Sequence, residues 1–260
     1  MMKNRFLVDL TWELNNIFRF PFPEILLALF TYMVFTPHPS MFSSTFDLEY
    51  LSWERTTYVL AFRSARNGAS YSVSAYFPLA ILASIFATLS FAYEIENGLL
   101  KVYLSHPTSR RAMFLSKFLS CFLIVFTTLS CVLLFFAFLD IPENAYYLIL
   151  NSQLILRMLL VSAMESFFIT SLTVCFSIFS KKASISLIGS FATIYIIQLL
   201  GESANLTFLP PSSFYAQVGF LLDLTGPKLS LLPYVLVTPL VSAALAIIAY
   251  VYFSRRLELA

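Results

Sequence analysis

The stretch from Tyr71 to Tyr93 reads YSVSAYFPLAILASIFATLSFAY and contains no charged residue over its 23 positions. A hydrocarbon core about 30 Å thick needs about 20 consecutive apolar residues in a helix that crosses it. Pro78 lies inside the run, and membrane helices tolerate proline because neighbouring groups satisfy the freed backbone atoms. The stretch is therefore predicted to be a membrane-spanning helix.

The composition of the whole chain extends this prediction. The chain has 260 residues, of which 59% are hydrophobic and 12% are charged, whereas soluble domains carry roughly 25% charged residues. This composition excludes a water-soluble globule. The net charge of +2 is too small for the basic field that nucleic-acid binding requires, so no nucleic-acid partner is predicted.

Other apolar runs also have the length of a membrane span. We predict an all-α integral membrane protein, a single domain over residues 1–260 with six transmembrane helices. The predicted spans are 21–36, 71–93, 118–139, 154–179, 183–200 and 231–253. The segment 37–70 is expected to form a small helical cap on the outer surface. The segment 201–230 is too apolar for a solvated loop, and its prolines favour re-entrant half-helices.

The distribution of cationic residues predicts the orientation. Six spans place both termini on the same side of the membrane. With cytoplasmic termini, eleven of the 16 Lys and Arg residues fall on the inner side and five on the outer side, as the positive-inside tendency requires. The chain is thus predicted to be a multi-pass protein of the cell membrane with both termini in the cytoplasm.

The first 20 residues have the pattern of an interfacial helix. Asp9, Glu13 and Asn16 lie away from an apolar stripe, and the two acidic residues also argue against a secretory signal. The stripe consists of Phe6, Leu7, Leu10, Leu14, Ile17 and Phe18. Segment 1–20 is therefore predicted to be an amphipathic helix that lies on the membrane surface.

A charged loop follows the span 71–93 and reads EIENGLLKVYLSHPTSRR from Glu94 to Arg111. The spacing of Glu94, Gly98 and Lys101 predicts one face of a short helix in the loop 94–106. The opposite, apolar face comprises Leu99, Leu100, Tyr103 and Leu104. Pro107 ends that helix, and Thr108 or Ser109 can cap the next one. Cations expected to meet anionic headgroups there are Arg110, Arg111 and Lys117.

This loop resembles the corresponding loop in the permease subunits of type-2 ABC exporters. Those loops carry an acidic pair, a glycine, leucines, a proline, a serine-arginine pair and a lysine. The matching residues are Glu94, Glu96, Gly98, Leu104, Pro107, Ser109, Arg110 and Lys117, whereas Ile95 and Leu99 depart from the pattern. The resemblance extends to the amphipathic N-terminus, the six spans and the stretch from Leu209 to Tyr215.

The resemblance implies that the loop is a coupling helix seated in a cleft of a separate ATP-binding subunit. It also implies a dimer, formed by two copies of this chain or by one copy with a related permease. The residues expected to contact the ATPase subunit are Glu94, Glu96, Gly98, Leu100, Lys101, Tyr103, Leu104, Pro107, Ser109 and Arg110. The alternative interpretation is a solvated connector without a coupling role.

The sequence predicts no catalytic or cofactor site in this chain. None of the six glycines begins the phosphate loop GxxxxGK[ST], so ATP and Mg are expected in the partner subunit. His38 and His106 lie in separate loops and the cysteines have no CxxC spacing, which argues against a metal site and a membrane-bound enzyme. An ATP-independent channel or secondary transporter is the alternative function, although the two halves show no internal repeat.

Glu165 is an ionisable residue within the predicted span 154–179. A charge at this depth costs at least a few kcal/mol, so the side chain is expected to face a cavity or a partner. Arg157 precedes it by two helical turns on roughly the same face. Two interpretations remain open. Both residues line a transport path, or Glu165 forms a packing hydrogen bond with hydroxyls such as Ser162, Ser166 or Thr170, or with their counterparts on another span. The cargo is not identified by the sequence.

Overall fold

The computed structural model describes residues 2–17, 24, 28, 53–99, 110–139, 142–180, 182–203, 208, 210, 213, 217, 218, 220 and 232–256. All regular secondary structure in these residues is helical, which confirms the all-α prediction. Most of the predicted first span 21–36, the loop residues 100–109 and most of the predicted re-entrant segment 201–230 lie outside the described residues.

Long helices account for nearly all of the described chain. The helices are α1 (Met2–Ile17), α2 (Trp53–Ala87), α3 (Tyr93–Glu96), α4 (Arg110–Leu139), α5 (Pro142–Leu150), α6 (Ser152–Ser180), α7 (Ala183–Ser203) and α8 (Leu232–Arg256). A π-helical turn, Thr88–Ala92, joins α2 directly to α3. The chain from Trp53 to Glu96 therefore runs as one continuous helical rod.

Five helical stretches in the described residues are long and apolar enough to cross a membrane. They are Ala75–Glu96, Arg110–Phe138, Ser152–Ser180, Ala183–Leu200 and Val235–Arg255. The predicted first span, 21–36, is outside this set because only Glu24 and Ala28 in it are described. The chain is a multi-pass membrane protein.

Two helices begin earlier than the apolar runs predicted. The second half of segment 37–70, expected to form a small helical cap, is helical, and it is continuous with the predicted span because α2 begins at Trp53 and passes through Gly68 without interruption. Buried Ala61 and Ala65 pack this part of α2 in a hydrophobic cluster with Leu133 of α4. Similarly, α4 begins at Arg110, eight residues before the predicted start at 118. Packing between helices outweighs the local polarity in both places.

Helix α6 lies at the centre of the bundle, since it packs against α2, α4, α7 and α8. One hydrophobic cluster joins Leu79 and Phe86 of α2, Leu129 of α4 and Phe168 of α6. The outer helices α7 and α8 expose large apolar side chains such as Ile188. Such an apolar exterior around a buried central helix is what a bundle in lipid requires.

Candidate functional site

The candidate site lies at the end of the bundle where α3 ends and α4 begins, which we call the loop end. Residues 88–92 form a π turn, in which the Tyr93 N–H donates to the Thr88 carbonyl five residues earlier. A π turn holds one residue more than an α turn, so it rotates the following residues by about 100°. After it, Tyr93 is exposed and Glu94 is buried. The π turn therefore helps to aim Glu94 into the protein.

Lys117 lies between two carboxylates at the loop end. Its Nζ is 2.7 Å from Glu13 Oε1 of α1 and 2.8 Å from Glu94 Oε1 of α3. The Lys117 residue is fully buried, and Glu13 and Glu94 are each 5% exposed. We call these three residues the ion triad. Since they come from α1, α3 and α4, the ion triad ties three helices together.

The ion triad carries more negative than positive charge. When both carboxylates are ionised, two negative charges face one ammonium. Burial raises the pKa of Glu13, and the nearby Lys117 opposes only part of that effect. The buried triad therefore favours a protonated Glu13 more than water would, and the ammonium is essential to keeping either carboxylate ionised there.

Two expectations about these residues are wrong. Lys117 does not reach lipid headgroups, and Glu13 does not lie on a solvated face of the amphipathic helix. Instead, α1 packs against α4, with Glu13 turned inward and Leu7 and Val8 more than half exposed. The signal in the sequence is a lysine seven residues inside a long apolar helix, because a buried ammonium requires acidic partners.

Glu96 and Arg110 hold other helix ends together at the loop end. Glu96 Oε2 accepts a hydrogen bond of 2.8 Å from the backbone N–H of Ala183, the first residue of α7. Arg110 Nη1 donates to the carbonyl of Ser254 in the last turn of α8 at 3.2 Å. An anion at a helix N-terminus and a cation at a C-terminus are both favourable. These two residues, expected at the ATPase interface, thus have structural contacts within the chain.

Hydroxyl groups extend this set of contacts into the bundle. Ser186 Oγ of α7 lies 2.9 Å from Thr88 Oγ1 in the π turn and 2.8 Å from Ser177 Oγ of α6. All three residues are buried. The π turn is therefore linked to α6 and α7 as well as to the ion triad.

Gly98 ends the helix that precedes the loop. The N–H of Asn97 donates to the Tyr93 carbonyl at 3.0 Å, and that of Gly98 to the Ile95 carbonyl at 3.2 Å. Gly98 has φ 71°, which L side chains rarely adopt. The single helix face expected for Glu94, Gly98 and Lys101 is therefore wrong, because the chain turns at Gly98. The remaining predicted contact residues lie outside the described residues: Leu100, Lys101, Tyr103, Leu104, Pro107 and Ser109.

Gly98→Ala and Gly98→Leu should destabilise the isolated permease by similar amounts, about 1–2 kcal/mol. The cost is backbone strain, since a Cβ at this position would have no neighbour within 4 Å among the described residues. Gly98→Asn should cost less because asparagine tolerates a positive φ. Chemical unfolding in detergent measures the difference. A much larger loss for leucine than for alanine would show that bulk, rather than φ, is what the position excludes.

A second group of candidate residues surrounds Glu165 near the middle of α6. Glu165 is fully buried, and neither of its carboxylate oxygens has a hydrogen-bond partner among the described residues. The hydroxyls of Ser162, Ser166 and Thr170 are also without partners there, so the expected packing hydrogen bond to them is not formed. Arg157 is eight residues away, a rise of about 12 Å, so the two residues expected along a path lie at different depths.

Gln217, in the segment before α8, also approaches Glu165. Its side chain is near enough to interact with the carboxylate, although the two groups do not meet full hydrogen-bond geometry. Its amide Nε2 instead donates to Thr238 Oγ1 at 2.9 Å and to Ser213 Oγ at 3.3 Å. No sequence pattern singles out Gln217, because its burial and its contacts with Ser213 and Thr238 depend on the tertiary packing.

Comparison with known proteins identifies the family. No curated protein matches the chain. The family model described as "ABC-2 family transporter protein" matches residues 24–256, which leaves out only the N-terminal helix region and the last few residues. The loop motif, the apolar helices and this nearly complete match agree, and the chain therefore belongs to the ABC-2 family of membrane transport proteins.

Proposed function

We propose that this chain is the permease subunit of an ATP-driven exporter and that a separate ATP-binding subunit docks on the loop 94–106. Family membership and the apolar helices support a permease. The resemblance of the loop to exporter coupling loops supports the direction of transport and the partner. ATP and Mg belong to the partner, because the sequence lacks a GxxxxGK[ST] phosphate loop.

The ion triad is the observation that carries the coupling proposal. Residues 97–109 leave α3 next to Glu94 and enter α4 seven residues before Lys117. Both sides of the loop are therefore fastened to each other and, through Glu13, to α1. A displacement of the loop would move these helices as a unit instead of bending the chain locally.

Contacts with α7 and α8 carry the same movement further. Glu96 holds the start of α7, and Arg110 holds the end of α8. In the proposed cycle, ATP closes two ATPase subunits, the coupling loops of two permease chains approach each other, and the attached helices repack to open an outward route. The loop end and both termini are then cytoplasmic, as the cation distribution favours.

Leu104→Asp tests the docking of the partner. The residue belongs to the predicted apolar face of the loop, and burying a leucine contributes about 1.5–3 kcal/mol. We expect the variant to insert normally but to bind a co-expressed ATP-binding subunit roughly tenfold more weakly or worse. Association is measured by co-purification, and function by stimulated ATP hydrolysis in proteoliposomes.

Leu150→Asp is the matched control for this experiment. Leu150 is exposed and ends α5, which follows α4 at the end of the bundle opposite the loop. It should leave association and stimulation unchanged. Equal association of wild type and Leu104→Asp would reject docking on this loop, and failure of any ATP-binding subunit to associate with the wild type would reject the exporter assignment.

A further inference from the structure

Glu165 lies deep in the bundle and has no basic partner among the residues that the structure describes. It is 13 residues from Ser152 and 15 from Ser180, the two ends of α6, which places it about 20 Å from either end. Within the described part of the chain, the groups that act on its carboxylate are Gln217 and Tyr76, and neither is cationic. A bare carboxylate is costly in such a place, so it calls for a cation or a proton.

The neighbouring groups add hydrogen-bond acceptors. Buried oxygens without a partner in the described residues include both oxygens of Glu165, Oε1 of Gln217, the hydroxyl of Tyr76 and Oγ of Ser162 and Ser166. Ser162 precedes Glu165 by three residues, which places these two side chains on the same side of α6. The Gln217 amide nitrogen is engaged with Thr238 and Ser213, so the oxygen is the part of this amide left for a ligand.

These acceptors suit a primary ammonium better than an alkali ion. An ammonium has three N–H donors, which one carboxylate, one hydroxyl and one amide oxygen can accept. Protein sites that strip an alkali ion of its water commonly use rings of backbone carbonyls. The described helices offer no such ring, because α6 contains no proline and Pro78 of α2 frees a single carbonyl, that of Ser74. Tyr76 also offers an aromatic face to a cation.

The surroundings suit a hydrocarbon tail. Tyr76 belongs to a cluster of buried apolar side chains that includes Phe168, Ile169 and Leu172 of α6. We propose that Glu165, Tyr76 and Gln217 form an intramembrane binding site for the ammonium group of an amphiphilic organic cation. This inference rests on the proposed function only in treating the occupant as cargo, because binding itself needs no ATPase subunit.

Decylammonium chloride is the probe, added to the purified permease in an uncharged detergent. We expect it to raise the thermal-unfolding midpoint of the wild type in a saturable manner. Decanol should not, because it has the same chain length without a charge, and sodium or potassium chloride at equal ionic strength should not either. Glu165→Gln should weaken the apparent affinity roughly thirtyfold or more, as loss of one partner of a buried charge pair does.

Two further variants keep the test decisive. Asp9→Asn removes a carboxylate from α1 and should leave the response unchanged. Tyr76→Phe removes a single hydroxyl and should weaken the affinity severalfold, which tests the site even if Glu165→Gln fails to fold. Equal affinities in wild type and Glu165→Gln, or in wild type and Tyr76→Phe, would overturn the proposal.

The probes also distinguish other occupants. An equal shift with decanol would reduce the effect to hydrophobic partitioning, and an equal shift with sodium chloride would assign an alkali ion, so either result would overturn the ammonium site. Selective binding of decylammonium without any associating ATP-binding subunit would uphold the site and reject the exporter assignment. The two proposals therefore fail separately.

Discussion

Lys117→Met should lower the free energy of unfolding of the purified permease by about 3–5 kcal/mol. The substitution keeps an unbranched side chain only one atom shorter but removes the ammonium between Glu13 and Glu94. Two buried carboxylates would then face each other without compensation, and water reaches neither freely. Unfolding by denaturant in detergent, followed by intrinsic fluorescence, measures the loss.

Arg111→Met is the control, because Arg111 is an exposed cation on the same helix. It should change the stability by less than about 0.5 kcal/mol. The triple variant Glu13→Gln/Glu94→Gln/Lys117→Met should recover most of the loss, since it leaves no buried charge uncompensated. If Lys117→Met were as harmless as Arg111→Met, the ion triad would have no part in holding α1, α3 and α4 together.

Gly68→Val should destabilise the permease by about 3 kcal/mol, and Gly68→Ala by a smaller amount. Gly68 is the point where α2 meets α4 most closely among the described glycines, because a Cβ there would lie 2.8 Å from Ala137 Cβ and 3.1 Å from Ala137 N. It would also collide with the carbonyl oxygen of Leu133. The backbones of two packed helices would have to separate, and the same unfolding assay measures the cost.

Gly189→Ala provides the comparison for a glycine without this constraint. Its Cβ would meet the ring of Phe176 at 3.4 Å, an ordinary contact distance. The variant should be neutral or gain up to about 1 kcal/mol from helix propensity. Equal effects of Gly68→Ala and Gly189→Ala would mean that α2 and α4 separate at little cost, contrary to the packing described above.

The all-helical fold could be predicted from the sequence because the free energy of placing an apolar side chain in lipid depends mainly on that side chain itself. Each residue of a run such as 183–200 contributes through its own side chain, and the structure has a helix there, Ala183–Ser203. The start of α2 at Trp53 could not be predicted in this way, because it depends on contacts between helices that a periodic pattern within one segment does not contain. A helix start near Arg110 is indicated locally by the possible caps Thr108 and Ser109, although the apolar run itself begins only at 118.

The ion triad and the turn at Gly98 could not be predicted from a pattern within one segment either. Glu13 and Lys117 are separated by more than 100 residues, and their contact depends on how far α4 is rotated. The contact of Lys117 with Glu94 depends in addition on the π turn that aims Glu94. The spacing of Glu94, Gly98 and Lys101 fits a helix equally well whether or not Gly98 adopts a positive φ. By contrast, Glu165 could be singled out from sequence because an acidic residue in an apolar run is costly wherever the run is placed.

The ion triad also imposes an order on biogenesis. During translation, Glu13 leaves the ribosome more than 100 residues before Lys117, so α1 must wait at the membrane with its carboxylate unpaired. Glu94 then follows, and Lys117 supplies the positive charge of the ion triad only when α4 enters the bilayer. The N-terminal helix thus docks late, after α4 has entered the membrane. A nascent chain stalled before that point would expose two acidic side chains to the membrane quality-control machinery.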